Sequence, residues 1–108
     1  MEPLATLPVF FKLEGKRVVV AGGNEGAAWK AELLSAAGAQ VVVCAVDVCP
    51  ELEALAADPP AGPISLRGSQ WSPEDFAGAA VVVGAAGDDE EAAHMFQAAR
   101  AAGVPINV

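Results

Sequence analysis

The 108-residue sequence has no tyrosine, one histidine, two cysteines and only six basic residues. Each scarcity removes a class of protein. Two cysteines cannot staple a chain this long, so a disulfide-held miniprotein is excluded. Cys44 and Cys49 also miss the C-x-x-C spacing of redox and zinc sites, and the residues signal no metal site. Six bases stand against 14 acids, a formal charge of −8, which leaves no broad basic face for a nucleic-acid backbone or an anionic membrane. No apolar run approaches the ~20 residues of a membrane span. Met1-Glu2-Pro3 lacks the basic flank and apolar stretch of a secretion signal. The expectation is a small acidic domain of the cytoplasm, spanning 1–108 as one unit.

Alanine (24) and valine (14) dominate what is present. The chain is 54% hydrophobic, enough apolar surface to offset the entropy of ordering, so disorder is excluded. Valine-rich runs alternate with alanine-rich ones. Arg17 to Ala21 is apolar on both faces, as a strand buried on both sides of a parallel sheet reads. Ala27 to Ala37 has helical spacing at Ala27, Ala31 and Leu34, with Gly38 expected as its C-cap. Gln40 to Ala45 is a second strand, and Pro50 to Ala57 a helix with proline in its first turn. A proline-rich loop leads to a third strand at Ile64 to Arg67. Ser72 caps a helical turn through Phe76, Ala80 to Gly84 is a fourth strand, and Asp88 to Ala102 the longest helix. Ile106 to Val108 begins a fifth strand, at which the sequence stops, so a piece of a longer protein is expected. Leu7 to Phe11 forms an apolar leader expected to pack on the edge of the domain.

Strands separated by helical segments pair in parallel through right-handed crossovers. The expected fold is therefore α/β, a doubly wound open five-stranded sheet of the Rossmann type in the order 3-2-1-4-5. Ligands of such sheets bind beyond the carboxyl ends of the strands, where the strand order reverses. The crevice is then walled by Gly22-Gly23-Asn24-Glu25-Gly26 and by Ala85-Ala86-Gly87-Asp88-Asp89. Against the dinucleotide fingerprint G-x-G-x-x-G/A the first wall offers Gly22, Asn24 and Ala27. The middle glycine is replaced by asparagine, which tolerates positive φ better than most residues. Glu25 adds a charge unfavourable to phosphate. The alternative is a glycine-rich turn that binds nothing.

Asp47 follows the second strand at the distance expected of a carboxylate that holds the adenosine ribose. In that role it repels a 2′-phosphate and selects NAD over NADP; otherwise it only opens the loop before Pro50. Asp88 and Asp89 either line the adenosine side of a cofactor or cap the last helix. His94 lies in a helix with no partner acid or nucleophile at a telling spacing and reads as solvent-facing or packed. Nothing marks Trp29 or Trp71 as a stacking platform.

Several segments taken in order carry a resemblance. Leu7-Pro8-Val9-Phe10-Phe11-Lys12-Leu13-Glu14-Gly15-Lys16-Arg17 is similar to an "LP-I/V-F…L-x-G-R/K" opening. Val18 to Asn24 stands where "VLVVGGG" is found, Lys30-Ala31 where "R-K-A" is, and Gly38 to Val43 where "GA-x-V-T-V" is. Ala85-Ala86-Gly87-Asp88-Asp89 is similar to "A-A-T-D-D", and Gly103 to Val108 to "G-I-x-V-N-V". Together they resemble the N-terminal dinucleotide-binding domain of siroheme synthase, the precorrin-2 dehydrogenase/sirohydrochlorin ferrochelatase family. The resemblance implies NAD-dependent oxidation of the tetrapyrrole precorrin-2 to sirohydrochlorin, with ferrous-ion insertion in bifunctional members. In longer members a uroporphyrinogen-III methyltransferase domain follows.

It further implies cofactor contacts at Glu25 and Gly26, at Val46 and Asp47, and along Ala86, Gly87, Asp88 and Asp89. The chain departs from the family at Asn24 (glycine), Gly87 (threonine), Trp29 (arginine) and Ala93 (asparagine). The family's catalytic aspartate follows "N-V-V", beyond Val108, so no residue here is assigned a catalytic role. The family's dimerisation and tetrapyrrole-binding segments fall outside as well. The polypeptide is expected to bind cofactor without turning over precorrin-2, with a homodimeric parent. The rival reading is a non-catalytic Rossmann module that senses nucleotides. A phosphoacceptor receiver domain shares the topology but needs paired acids at the end of the first strand, where this chain has Ala21-Gly22.

Overall fold

A computed structural model describes residues 12–108; the apolar leader at 7–11 lies outside them. Three consecutive valines set the centre of the molecule. β1 (Arg17–Ala21) is fully buried from Val18 to Ala21, because β-branched side chains on both faces of a strand need cover on both faces. It pairs in parallel with β2 (Gln40–Cys44) on one side and with β4 (Val81–Gly84) on the other. β3 (Ile64–Arg67) adds beyond β2, and β5 (Ile106–Asn107) beyond β4. The order is β3-β2-β1-β4-β5, the doubly wound arrangement expected from the sequence.

The helices cover opposite faces. α1 (Glu25–Ala36) and α2 (Pro50–Ala57) pack on the side of Val18, Val20, Val41 and Val43, with Ala27, Ala31 and Leu52 fully buried between. Alanine on α1 lets that helix lie close to the sheet. α3 (Pro73–Phe76) and α4 (Asp89–Ala102) cover Val19, Ala21 and Val82, with Phe76 and Met95 fully buried. The alternation of valine side chains thus splits one strand between two apolar layers.

β2, β4 and β5 are each one residue shorter than the sequence reading, lacking Ala45, Ala80 and Val108, and three differences at helix ends have a visible cause. α1 starts at Glu25, two residues before Ala27, because Asn24 caps it: its Oδ1 accepts from the Ala27 amide at 2.9 Å. The C-cap of α1 is Ala37, and Gly38 follows at φ 88°, the left-handed position just past the cap. Asp88 stands outside α4 as its N-cap, accepting from Glu91 N at 2.8 Å.

α3 is held by a buried carboxylate. Asp75 accepts from the Ser72 backbone amide at 2.8 Å, from Ser72 Oγ at 3.2 Å and from the Arg67 guanidinium. Arg17 donates to the carbonyls of Asp75 (3.0 Å) and Ala77 (3.3 Å). Burial alone would raise the Asp75 carboxyl, but the Ser72 and Arg67 hydrogen bonds outweigh it and hold the group below the usual carboxylate range. The buried Cys44 thiol is pushed up by that burial and by the Asp75 charge. Cys44 and Cys49 are both free.

Candidate functional site

Because every strand is parallel, each following helix starts at the carboxyl edge of the sheet, so the loops after β1, β2 and β4 meet there. Backbone hydrogen bonds lace them together. Gly22 N donates to Cys44 O (3.0 Å), Ala85 N to Ala21 O (2.8 Å), and Cys49 N to Gly23 O (2.9 Å).

Two glycines make this meeting possible. Gly22 has φ 135°, and a Cβ there would lie 2.8 Å from Ala85 Cβ. A Cβ on Gly23 would collide with the Asp47 carbonyl oxygen. Both glycines are therefore required by contacts between loops, and the Asp47 backbone lies against the first turn. Asp47 does not cap α2, whose N-cap is Cys49. Its side chain is exposed and, like that of Val46, projects from the edge of the site. Among the described residues no hydrogen bond occupies the Asp47 carboxylate.

Asn24 corrects a sequence expectation. Its φ is −86°, so the turn does not use asparagine's tolerance of positive φ; the residue serves as a cap. The cap takes the Ala27 amide and leaves those of Glu25 and Gly26 without a partner among the described residues. Both are exposed, and a Cβ on Gly26 would meet only Asn24 Oδ1, at 3.3 Å. A first turn with two free amides and an open glycine suits a phosphate group. The Glu25 carboxylate in the same turn opposes one.

The opposite wall is tied down by Glu91. Its Oε1 accepts from the Gly87 amide at 2.9 Å and its Oε2 from Trp71 Nε1 at 3.1 Å. Trp71 in turn stacks on Phe76, ring centroids 5.2 Å apart and 16° from coplanar. Nothing in the sequence marked Trp71 for such a role. Trp71 and Glu91 line a shallow cavity of about 310 Å³ together with Gln70, Asp88, Glu90 and His94. His94 is solvent-facing. Ala86 and Gly87 form the turn, Asp88 caps α4, and Asp89 is exposed in its first turn. On the far side Lys30 donates from Nζ to the Gly84 carbonyl at the end of β4, at 3.3 Å.

The structure thus brings Gly23 against the Asp47 backbone and Gly22 against Ala85, with Asn24, Glu25 and Gly26 exposed where α1 begins. Sequence reasoning missed Glu91 and did not place Lys30 at the site. Glu91 lies four residues past Gly87, a helical-turn spacing, but its Trp71 partner is distant in sequence. Among the described residues no group of three or more His, Cys, Asp or Glu side chains could hold a metal ion. No helix of the described residues is long and apolar enough to cross a membrane.

Comparison with known proteins agrees with this geometry. Residues 9–108 match the model of a family described as NAD(P)-binding. The chain is 43% identical over 102 residues to a siroheme synthase of Ectopseudomonas mendocina, covering 94% of this chain and 21% of that protein. It is 40% identical over 101 residues to siroheme synthase 1 of Halorhodospira halophila, with the same coverage. The chain therefore spans about a fifth of the length of the curated relatives it matches. Among solved structures, SirC, a precorrin-2 dehydrogenase, superposes with a TM-score of 0.73 at 21% identity, over 95% of this chain and 49% of that one. A match across residues 9–108, on a 3-2-1-4-5 sheet whose glycine turn opens onto the switch point, places the chain in the NAD(P)-binding family, in a form similar to the N-terminal region of siroheme synthases.

Proposed function

We propose that the chain is the dinucleotide-binding domain of a siroheme-pathway dehydrogenase, one that oxidises precorrin-2 to sirohydrochlorin with NAD as hydride acceptor. The observation that carries this reading is the meeting of three loops at the switch point: α1 amides and an Asp47 carboxylate without hydrogen-bond partners among the described residues, and the Gly87 turn. The similarity to siroheme synthases supplies the pathway.

In this reading the amides of Glu25 and Gly26 hold the pyrophosphate, and Gly22 and Gly23 keep the turn tight. Val46 and Asp47 flank the adenosine ribose, and Asp47 excludes a 2′-phosphate, so NAD is preferred to NADP. Ala86, Gly87, Asp88 and Asp89 line the other wall. Bound nicotinamide would accept the hydride. The described side chains contribute binding and orientation. The whole protein is then a cytoplasmic homodimer whose further segments hold the tetrapyrrole. Asn24 favours a second reading, a nucleotide-sensing module without catalysis, because its cap withdraws one α1 amide from a ligand.

Calorimetric titration of the chain with NAD⁺ and NADP⁺ tests the proposal. Saturable NAD⁺ binding, weaker NADP⁺ binding and a narrowed difference in Asp47→Asn support it. Equal affinity for both, unchanged in that variant, removes Asp47 from the site, and no binding of either removes the cofactor.

A further inference from the structure

The Gly87 turn has no regular backbone pairing of its own, yet one side chain fixes it to a distant loop. Glu91 sits in the first turn of α4 and spends both carboxylate oxygens on neutral N–H donors, Gly87 N and Trp71 Nε1. Its own amide is held by Asp88 Oδ1, so the carboxylate is anchored from below. Trp71 is anchored as well, by its stack on the fully buried Phe76. A chain of contacts therefore runs from the core, through Phe76, Trp71 and Glu91, to the Gly87 amide.

We propose that Glu91 and Trp71 are positioning residues that hold the Gly87 turn in its nucleotide-binding conformation. The proposal rests on the reading above, in which Ala86 to Asp89 form one wall of the dinucleotide site. The tether acts on conformer populations. A turn released from its tether samples other conformers, and apparent affinity falls in proportion to the fraction that remains competent. Charge-assisted hydrogen bonds of this kind are each worth enough to change that fraction about tenfold.

The chemistry of the carboxylate gives a test that mere packing would not pass. Two donors face Glu91, and a carboxylate accepts from both. The glutamine amide has one accepting oxygen and one NH₂ that only donates, so Glu91→Gln sets that NH₂ against one of the two N–H groups. Trp71→Phe removes one donor and keeps an aromatic ring on Phe76. In the double variant the glutamine oxygen is free to accept from Gly87.

Titration with NAD⁺ of the unchanged chain and of Glu91→Ala, Glu91→Gln, Trp71→Phe and the double variant reads the effect. Expected are about tenfold weaker binding in Glu91→Ala and in Glu91→Gln, a smaller loss in Trp71→Phe, and recovery in Trp71→Phe/Glu91→Gln from the Glu91→Gln level to that of Trp71→Phe. Amide exchange at Gly87, measured without nucleotide, should be slow in the unchanged chain and fast in Glu91→Ala. Binding by the unchanged chain with no loss in Glu91→Ala, or no recovery in the double variant, overturns the positioning role alone. A slow Gly87 amide in Glu91→Ala overturns the tether itself. No NAD⁺ binding by the unchanged chain removes the nucleotide reading, and this proposal with it.

Discussion

Glu25 shows how one side chain can serve the fold and oppose the ligand. An acid in the first turn of α1 interacts favourably with the helix dipole, by about 0.3–1 kcal/mol. The same charge sits beside the amides proposed to hold a pyrophosphate. Glu25→Gln is therefore expected to tighten NAD⁺ binding roughly two- to fivefold while lowering stability by no more than about 1 kcal/mol. Calorimetry and thermal unfolding of one variant read both effects. Gly23 is the converse case, where ligand site and fold ask for the same residue. A methyl group there meets the Asp47 carbonyl, so Gly23→Ala should push the β2–α2 loop outward. The expected result is a loss of order 1–3 kcal/mol in stability together with weaker nucleotide binding, seen in denaturant unfolding and titration.

These residues also mark how far a sequence can be read. The strand cores were legible because Val-Val-Val runs between glycine and alanine segments have few other solutions. The start of α1 was not, because Asn24 fits a left-handed turn or a cap equally well, and only the position of the Ala27 amide decides. Glu91 and Trp71 were invisible for a different reason. Their contact depends on the loop after β3 crossing toward α4, which no local spacing encodes.

Among elements, α3 is the one whose stability rests on charge. At four residues it cannot persist on its own backbone bonds, so Asp75 supplies the connection to Ser72 and Arg67. The folded-state value of Asp75 lies below the ordinary 3.8. Its stabilisation is therefore complete above that ordinary value and is lost as the pH falls through the lower, folded one. Thermal unfolding followed from pH 7 downward should show a melting temperature that drops below about pH 4. In Asp75→Asn the chain should be less stable at pH 7 by of order 2 kcal/mol, with that acid-dependent component absent. Ser72 was readable as the cap of a helical turn; the Asp75 contact to Arg67 was not, since it needs β3 and α3 brought together.

At the scale of the molecule, topology sorts charge. Helix N-termini favour acids, and a parallel sheet places all of them on one edge. Glu25, Glu51, Asp88 and Asp89 therefore join Asp47 at the carboxyl edge, while Arg17 opens β1 at the other end. This edge repels an added phosphate more than it repels NAD⁺. Raising the salt concentration from about 20 to 200 mM shortens the screening length to below 10 Å, so the proposed preference for NAD⁺ over NADP⁺ should narrow as salt rises. Titrations at both salts check it, and a preference unchanged by salt would assign discrimination to shape rather than charge.

The central claim is that the loops after β1, β2 and β4 form one dinucleotide site. Amide chemical-shift mapping of the ¹⁵N-labelled chain during NAD⁺ addition tests it most directly. Saturable shifts should cluster at Gly23 to Gly26, at Val46 and Asp47, and at Ala86 to Asp89, and should leave Lys16, Arg17 and the α4 C-terminus still. Shifts confined to another surface, or none at millimolar NAD⁺, would contradict the account.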